Sequence, residues 1–254
     1  MAAAAFAAVW WLPSNVLLAV ALAVAALAFY EYARLVRAIG AEVPFVPALI
    51  STLAACAVGG LPLTFGVLAL PAFGLALIAV AVALMGRGVH GAPLVNGAAT
   101  AMLAPLYIGL PLGALVAIHT VAGREGVLTL VATVAASDTF QYYSGRTFGR
   151  RPLAPTISPK KTIEGAIGGF VLAPLALVAL ARWGLPGVSP LAAWAVGLGV
   201  VMAGIAGDLF ESALKRAAGM KDSGDLIPGH GGVLDRIDAL LFCAPLFAML
   251  VWLT

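Results

Sequence analysis

Four polar residues recur at regular spacing near the end of one long apolar run. They are Asp208, Glu211, Ser212 and Lys215. Their positions, i, i+3, i+4 and i+7, place all four on one face of a helix. Because acids in an apolar helix normally face a protein interior or a water-filled cavity, this face is the first candidate for chemistry.

Two other apolar runs end in a similar way. Asp235 and Asp238 are three residues apart at the start of the last run, and Asp138 and Gln141 have the same spacing near the end of an earlier run. Clustered carboxylates repel one another and need a cation at neutral pH. Since oxygen ligands without clusters of His or Cys suit Mg²⁺, which bridges carboxylates and substrate phosphates, we expect magnesium here.

Basic residues and glycines accompany these acids. The basic residues are Lys160, Lys161, Lys215, Arg216, Lys221 and Arg236. Ammonium and guanidinium groups bind phosphate. The sequence GHGG at 229–232, with His230 between glycines, allows close approach of a backbone whose N–H groups can bind an anion. Together these residues indicate phosphoryl or nucleotidyl transfer. We interpret Asp225, Arg150 and Arg151 as solvated loop charges.

The composition indicates the elements that must position these residues. Of the 254 residues, 63% are hydrophobic and 10% are charged, whereas soluble domains carry about 25% charged residues. A water-soluble protein is excluded, and we expect an all-α, polytopic integral membrane protein. The net charge of +3 is interpreted as membrane topology, and no nucleic-acid partner is expected.

The apolar runs predict eight or nine transmembrane helices. They cover residues 2–12, 15–35, 44–59, 61–85, 93–119, 126–143, 162–183, 190–214 and 237–253. The first is too short to span about 30 Å unaided. We expect one membrane domain over residues 1–254. Within it, residues 1–122 would provide the scaffold, lipid access and dimerisation, and residues 123–254 would form the catalytic half.

The distribution of basic residues predicts the orientation. If all nine runs span, twelve of the fourteen Lys and Arg residues fall on one side, and only Arg124 and Arg182 fall on the other. The positive-inside rule places the basic side in the cytoplasm. Two polar loops, residues 144–161 and 216–234, would then face the cytoplasm, where nucleotides are available. We expect a location in the cytoplasmic (inner) membrane.

Two stretches resemble a known family. SALKRAAGMKDSGDLIPGHGGVLDRID, from Ser212 to Asp238, is similar to the signature of the phosphatidate cytidylyltransferases, also called CDP-diacylglycerol synthases. SDTFQYYSGRTFGRRPLAPTISPKKTIEG, from Ser137 to Gly165, is similar to the family's other cytoplasmic segment. Gln141 departs from the small residue expected at its position. The resemblance covers most of the C-terminal half of the chain.

The resemblance implies that CTP and phosphatidate give CDP-diacylglycerol and pyrophosphate, with Mg²⁺ required. It also implies a potassium ion beside the magnesium, and a homodimer. Asp208 and Asp235 match the metal-binding aspartates, and Asp222 and Asp238 are second candidates. Phosphate would be contacted by catalytic Lys215, Lys221, Arg236 and His230. Substrate-binding residues would be Asp138, Arg146, Ser158, Lys160, Lys161, Ser212, Arg216, Gly231 and Gly232.

Two alternatives remain at this stage. One is a cytidylyltransferase for another membrane lipid phosphate, such as an ether lipid or a polyprenol phosphate, because the motifs concern the head-group chemistry. The other is an ion transporter or channel, because acids within membrane helices also mark ion paths. The transporter is disfavoured because the acids lie at one predicted depth and none continue toward the outer side.

Overall fold

The computed structural model describes residues 13–61, 65–224 and 231–252. Eight α-helices and one β-hairpin are present in this part of the chain. The helices are α1 (Ser14–Ala38), α2 (Phe45–Gly59), α3 (Phe65–Met85), α4 (Ala92–Ala104), α5 (Leu110–Phe148), α6 (Ile163–Gly184), α7 (Pro190–Ala217) and α8 (Leu234–Trp252). A π-helical turn, Pro105–Gly109, joins α4 to α5. The hairpin strands are β1 (Pro152–Ala154) and β2 (Ser158–Thr162).

From residue 15 onward the helices follow the apolar runs, and they confirm the predicted helical membrane protein. The first predicted run, residues 2–12, lies outside the described residues. Four helical stretches of the described residues are long and apolar enough to cross a membrane. They are Ser14–Ala38, Ala92–Phe148, Ile163–Gly184 and Pro190–Ala217. Shorter apolar helices cover Phe45–Gly59 and Pro71–Met85. The longest stretch is interrupted at Gly123, whose φ of 68° and ψ of −172° are not helical.

The chain divides into two compact units. The N-terminal unit comprises Pro13–Ala117 together with Leu214–Ile237. The C-terminal unit comprises Ile118–Ala213 together with the chain from Asp238 onward. Each unit therefore combines segments that are distant in the sequence.

Close helix packing forms the core of the N-terminal unit. Tyr32 and Phe29 of α1 are fully buried, and the Tyr32 hydroxyl donates to the carbonyl oxygen of Thr100 at 2.8 Å. A Cβ on Gly109 would overlap the carbonyl oxygen of Thr52 in α2. Small residues at such contacts let helix backbones approach closely, as is typical of membrane helices.

Close helix packing at small residues also forms the core of the C-terminal unit. A Cβ on Gly197 of α7 would lie 2.6 Å from Cα of Pro174 in α6. The thiol of Cys243 in α8 is buried and donates to the carbonyl oxygen of Val200 at 3.3 Å. Helix α7 thus contacts both α6 and α8 within this unit.

The segment predicted as a loop over residues 144–161 is more ordered than expected. Helix α5 continues to Phe148, and the antiparallel strands pair Pro152 with Thr162 and Ala154 with Ser158. Prolines fix their own φ and disfavour helix in the preceding residue, which favours extended backbone in PLAPTISP. The hairpin brings the lysines of β2 to a defined position.

Candidate active site

A cavity of about 570 Å³ lies in the C-terminal unit and contains six of the predicted site residues. They are Asp138, Arg146, Ser158, Lys160, Lys161 and Asp208. Three elements contribute them, because the acids come from α5 and α7 and the lysines from β2. The sequence predicted these residue types for a phosphate site, and in the fold they line one cavity.

An ion pair joins two of these elements. Lys161 Nζ of β2 lies 2.7 Å from Asp208 Oδ2 of α7. The Ser212 hydroxyl, one turn further along α7, donates to Asp208 Oδ1 at 3.3 Å. Asp138 interacts electrostatically with both Lys161 and Asp208. The carboxylates of Asp138 and Asp208 and the ammonium group of Lys161 therefore interact with one another in this cavity.

Glu164 anchors the hairpin at the start of α6. Its Oε2 accepts the backbone N–H groups of Arg150 and Arg151 at 3.0 and 3.2 Å, and the Arg151 side chain donates to Oε1 at 3.3 Å. Thr162 caps α6 by accepting the N–H of Gly165 at 3.1 Å. These bonds fix both ends of the hairpin and hence the position of Lys160 and Lys161. Sequence reasoning gave Glu164 no role.

Glycines allow α5 and α6 to meet beside the cavity. A Cβ on Gly165 would lie 2.7 Å from the carbonyl oxygen of Gln141, and a Cβ on Gly145 would lie 2.8 Å from Thr162 Oγ1. The guanidinium of Arg146 donates to the Tyr142 hydroxyl at 3.2 Å. Two motif glycines are therefore explained by packing.

The N-terminal unit holds a second cluster, centred on Asp235. Lys215 Nζ lies 2.6 Å from Asp235 Oδ1, and both side chains are largely buried. Asp235 Oδ2 accepts the backbone N–H and the hydroxyl of Ser223, each at 2.9 Å. It also accepts the N–H of Gly232 at 2.8 Å. Asp235 thus joins Ser223 and Gly232 to the first turn of α8.

Glu31 is a buried acid to which sequence reasoning gave no role. It lies in α1, is fully buried, and accepts three hydrogen bonds from Ser223, Val233 and Leu234. The available signal was a carboxylate within the predicted transmembrane run 15–35, which is expensive unless it is functional or paired.

The remaining predicted residues are placed as follows. Lys221, Asp222, Arg216 and Arg236 are exposed. Asp238 lies in α8 of the C-terminal unit, where its carbonyl oxygen leaves no room for a Cβ on Gly207 of α7. Gly231 adopts a φ of 78° beside Asp235, a conformation that favours glycine. His230 and Asp225 lie outside the described residues. The roles of all these residues stay predictions.

The donor set of the cavity fits magnesium. Within residues 13–61, 65–224 and 231–252, no group of three or more His, Cys, Asp or Glu side chains is placed to hold a metal ion. Mg²⁺ usually binds one or two protein carboxylates together with substrate phosphates and water. Asp138 and Asp208 meet that requirement. Asp235 would have to release Lys215 before its Oδ1 could bind a cation.

The chain is similar in sequence to several known proteins. The chain is 41% identical over 144 residues to a phosphatidate cytidylyltransferase of Helicobacter pylori, covering 57% of this chain and 53% of that protein. It is 39% identical over 125 residues to the Aquifex aeolicus protein of the same name, covering 49% and 46%. It is also 45% identical over 121 residues to the uncharacterized protein YnbB of Escherichia coli, covering 48% and 40%.

The matched segments span about half the length of these curated relatives. The family model described as "Cytidylyltransferase family" matches residues 1–254. A match of this extent, together with the cavity that joins carboxylates to lysines, shows that the chain belongs to the cytidylyltransferase family.

Proposed function

We propose that this protein transfers the cytidylyl group of CTP to phosphatidate, giving CDP-diacylglycerol and pyrophosphate. The observation that carries the proposal is the Lys161–Asp208 pair on the wall of a cavity that also holds Asp138 and Lys160. This arrangement supplies carboxylates for a cation and ammonium groups for phosphate. The names of the Helicobacter and Aquifex relatives favour phosphatidate over another lipid phosphate.

The reaction is proposed to be an in-line displacement. A phosphate oxygen of phosphatidate attacks the α-phosphorus of CTP, and the bond from that phosphorus to the α,β-bridging oxygen breaks. The electron pair leaves with pyrophosphate. Because the nucleophile is already an anion, no covalent enzyme intermediate is needed. The protein contributes positioning and charge neutralisation.

The lysines are proposed to change partners when the nucleotide binds. Lys161 and Lys215 each contact an aspartate in this structure. Phosphate oxygens of CTP would compete for the same ammonium groups, which would free Asp208, and separately Asp235, to bind a cation. Bound Mg²⁺ would supply Lewis-acid neutralisation of phosphate charge. Lys160 would hold the lipid phosphate or the nucleotide. A potassium ion beside the magnesium belongs to this proposal.

The membrane arrangement is part of the proposal. Eight or nine transmembrane helices would place the cavity on the cytoplasmic face of the inner membrane, where CTP is available. Phosphatidate would enter sideways between helices because its acyl chains stay in the bilayer. The protein would act as a homodimer.

The test uses the full chain purified in detergent. Radiolabelled CTP would be supplied with phosphatidate, with an ether-linked lipid phosphate or with a polyprenol phosphate, each with and without Mg²⁺. We expect a labelled CDP-lipid chiefly from phosphatidate and only with Mg²⁺. No labelled lipid from any acceptor would refute the proposal, and preference for another lipid phosphate would correct its substrate.

A further inference from the structure

Glu31 binds both ends of the segment that carries the glycine motif. Its Oε1 accepts the N–H of Val233 at 2.9 Å. Its Oε2 accepts the N–H of Leu234 at 2.8 Å and the hydroxyl of Ser223 at 3.0 Å. Two of these donors immediately precede or begin α8, and the third lies before the motif. One carboxylate in α1 therefore binds residue 223 as well as residues 233 and 234.

The contact is tight as well as polar. A Cβ on Gly232 would lie 2.5 Å from Glu31 Oε2, and a Cβ on Gly224 would lie 2.8 Å from Oε1. Both glycines thus have a packing reason to lack a side chain. A buried negative group at the first N–H groups of a helix is also favoured by the helix dipole. Within the N-terminal unit, Glu31 thus holds the backbone of residues 233 and 234 against α1.

Ser223 connects Glu31 to the predicted catalytic residues. Its hydroxyl lies within hydrogen-bond distance of both Glu31 Oε2 and Asp235 Oδ2, so its single hydrogen is shared between two carboxylates. Asp235 in turn contacts Lys215. If Ser223 or Val233 were displaced, the Asp235–Lys215 pair would be disturbed as well.

We infer that Glu31 is a positioning residue for the nucleotide site. It holds Ser223, Val233 and Leu234, and through Ser223 the Asp235–Lys215 pair, in the geometry needed to receive phosphate oxygens of CTP. This inference rests on the proposed function and assigns a catalytic consequence to the N-terminal half. A purely structural role differs, because loss of folded protein lowers the apparent kcat without changing the KM for CTP.

The principal variant is Glu31→Gln, which keeps the size of the side chain but replaces an acceptor oxygen by an NH₂ donor that faces other donors. We expect the KM for CTP to rise roughly tenfold, as for the loss of one hydrogen bond to a charged group. Glu31→Asp, which retains both acceptors on a shorter side chain, should recover part of the change. Ser51→Ala is the matched control, because Ser51 is a buried polar residue that bonds only within α2.

Hydrogen–deuterium exchange gives a readout independent of activity. In Glu31→Gln, the peptide containing Val233 and Leu234 should exchange faster, while the β1–β2 hairpin should exchange as in the wild type. A wild-type KM in a folded Glu31→Gln protein, or uniformly faster exchange throughout the chain, would overturn the inference.

A second variant tests the inference if Glu31→Gln folds poorly. Ser223→Ala removes only the shared hydroxyl and should raise the KM for CTP severalfold, and an unchanged KM would also overturn the inference. If the wild type shows no CTP turnover, the proposed function fails, whereas the exchange experiment still tests whether Glu31 holds the segment.

Discussion

Lys161 and Asp208 form an ion pair across two elements of the C-terminal unit, with 2.7 Å between Nζ and Oδ2. Neither side chain is fully buried, since 22% of the lysine and 35% of the aspartate side chain are exposed. Partly exposed ion pairs contribute little to stability. The position of this pair on the cavity wall therefore suggests a role in binding rather than in holding the fold.

Replacement of Asp208 tests that role. Asp208→Asn retains the shape but removes the charge, so we expect kcat/KM to fall roughly 10²-fold or more, as for loss of a preorganised electrostatic group. The Mg²⁺ concentration for half-maximal activity should also rise. Both are measured with radiolabelled CTP. Arg182→Gln, at the opposite end of α6 from the hairpin, is the control and should be unaffected. Activity within twofold of the wild type would remove Asp208 from the site.

Replacement of Glu164 tests the anchoring of the hairpin. Glu164→Gln leaves only one oxygen to accept the bonds now made by Arg150 and Arg151. We expect the KM for CTP to increase severalfold, because Lys160 and Lys161 lose their fixed position. The matched control is Glu125→Gln, since Glu125 is also paired with an arginine, at 3.0 Å from Arg124. Equal effects of the two substitutions would contradict the role of the hairpin.

The contact between α5 and α6 should tolerate no added methyl group. Gly165→Ala would force a Cβ to within 2.7 Å of the Gln141 carbonyl oxygen. Such overpacking typically costs about 1–3 kcal/mol, so we expect a lower melting temperature and reduced activity. In Gly74→Ala the new Cβ meets no atom within 4 Å, and the melting temperature should be unchanged or higher. The prediction is wrong if both variants melt alike.

Asp235 is expected to act through its contacts with Lys215, Ser223 and Gly232. Asp235→Asn weakens the contact with Lys215 and the bonds from Ser223 and Gly232. We expect about a 10²-fold loss of activity and a higher Mg²⁺ requirement, measured by the CTP assay over a Mg²⁺ titration. Asp225→Asn is the control, because Asp225 is interpreted from the sequence as a solvated charge. An unchanged Mg²⁺ requirement would argue that Asp235 organises the loop without binding the cation.

Local patterns predicted much of this molecule. The apolar run at 162–183 became α6 (Ile163–Gly184), and the run at 190–214 became α7 (Pro190–Ala217), because about twenty apolar residues have few alternatives to a membrane helix. Residue types alone also indicated a phosphate site with a cation. The helical spacing that placed Asp208 near Ser212 is confirmed by their hydrogen bond.

These local patterns could not predict which distant residues the charged side chains contact. The hairpin was missed because its strands are short and are held by Glu164 rather than by alternating apolar residues. Glu31 was missed because its partner Ser223 is 192 positions away. Helical periodicity reports contacts a few residues apart, and it contains no information on which distant donor a buried acid will meet.

The separation between Glu31 and its donors has a consequence for biosynthesis. Ser223, Val233 and Leu234 follow Glu31 by 192 to 203 positions, and at ordinary elongation rates of about 5–20 residues per second they are made roughly 10–40 s later. During that interval the acid in α1 must be hydrated or accommodated by other contacts. The N-terminal unit is therefore among the first parts of the protein to be synthesised and among the last to be completed.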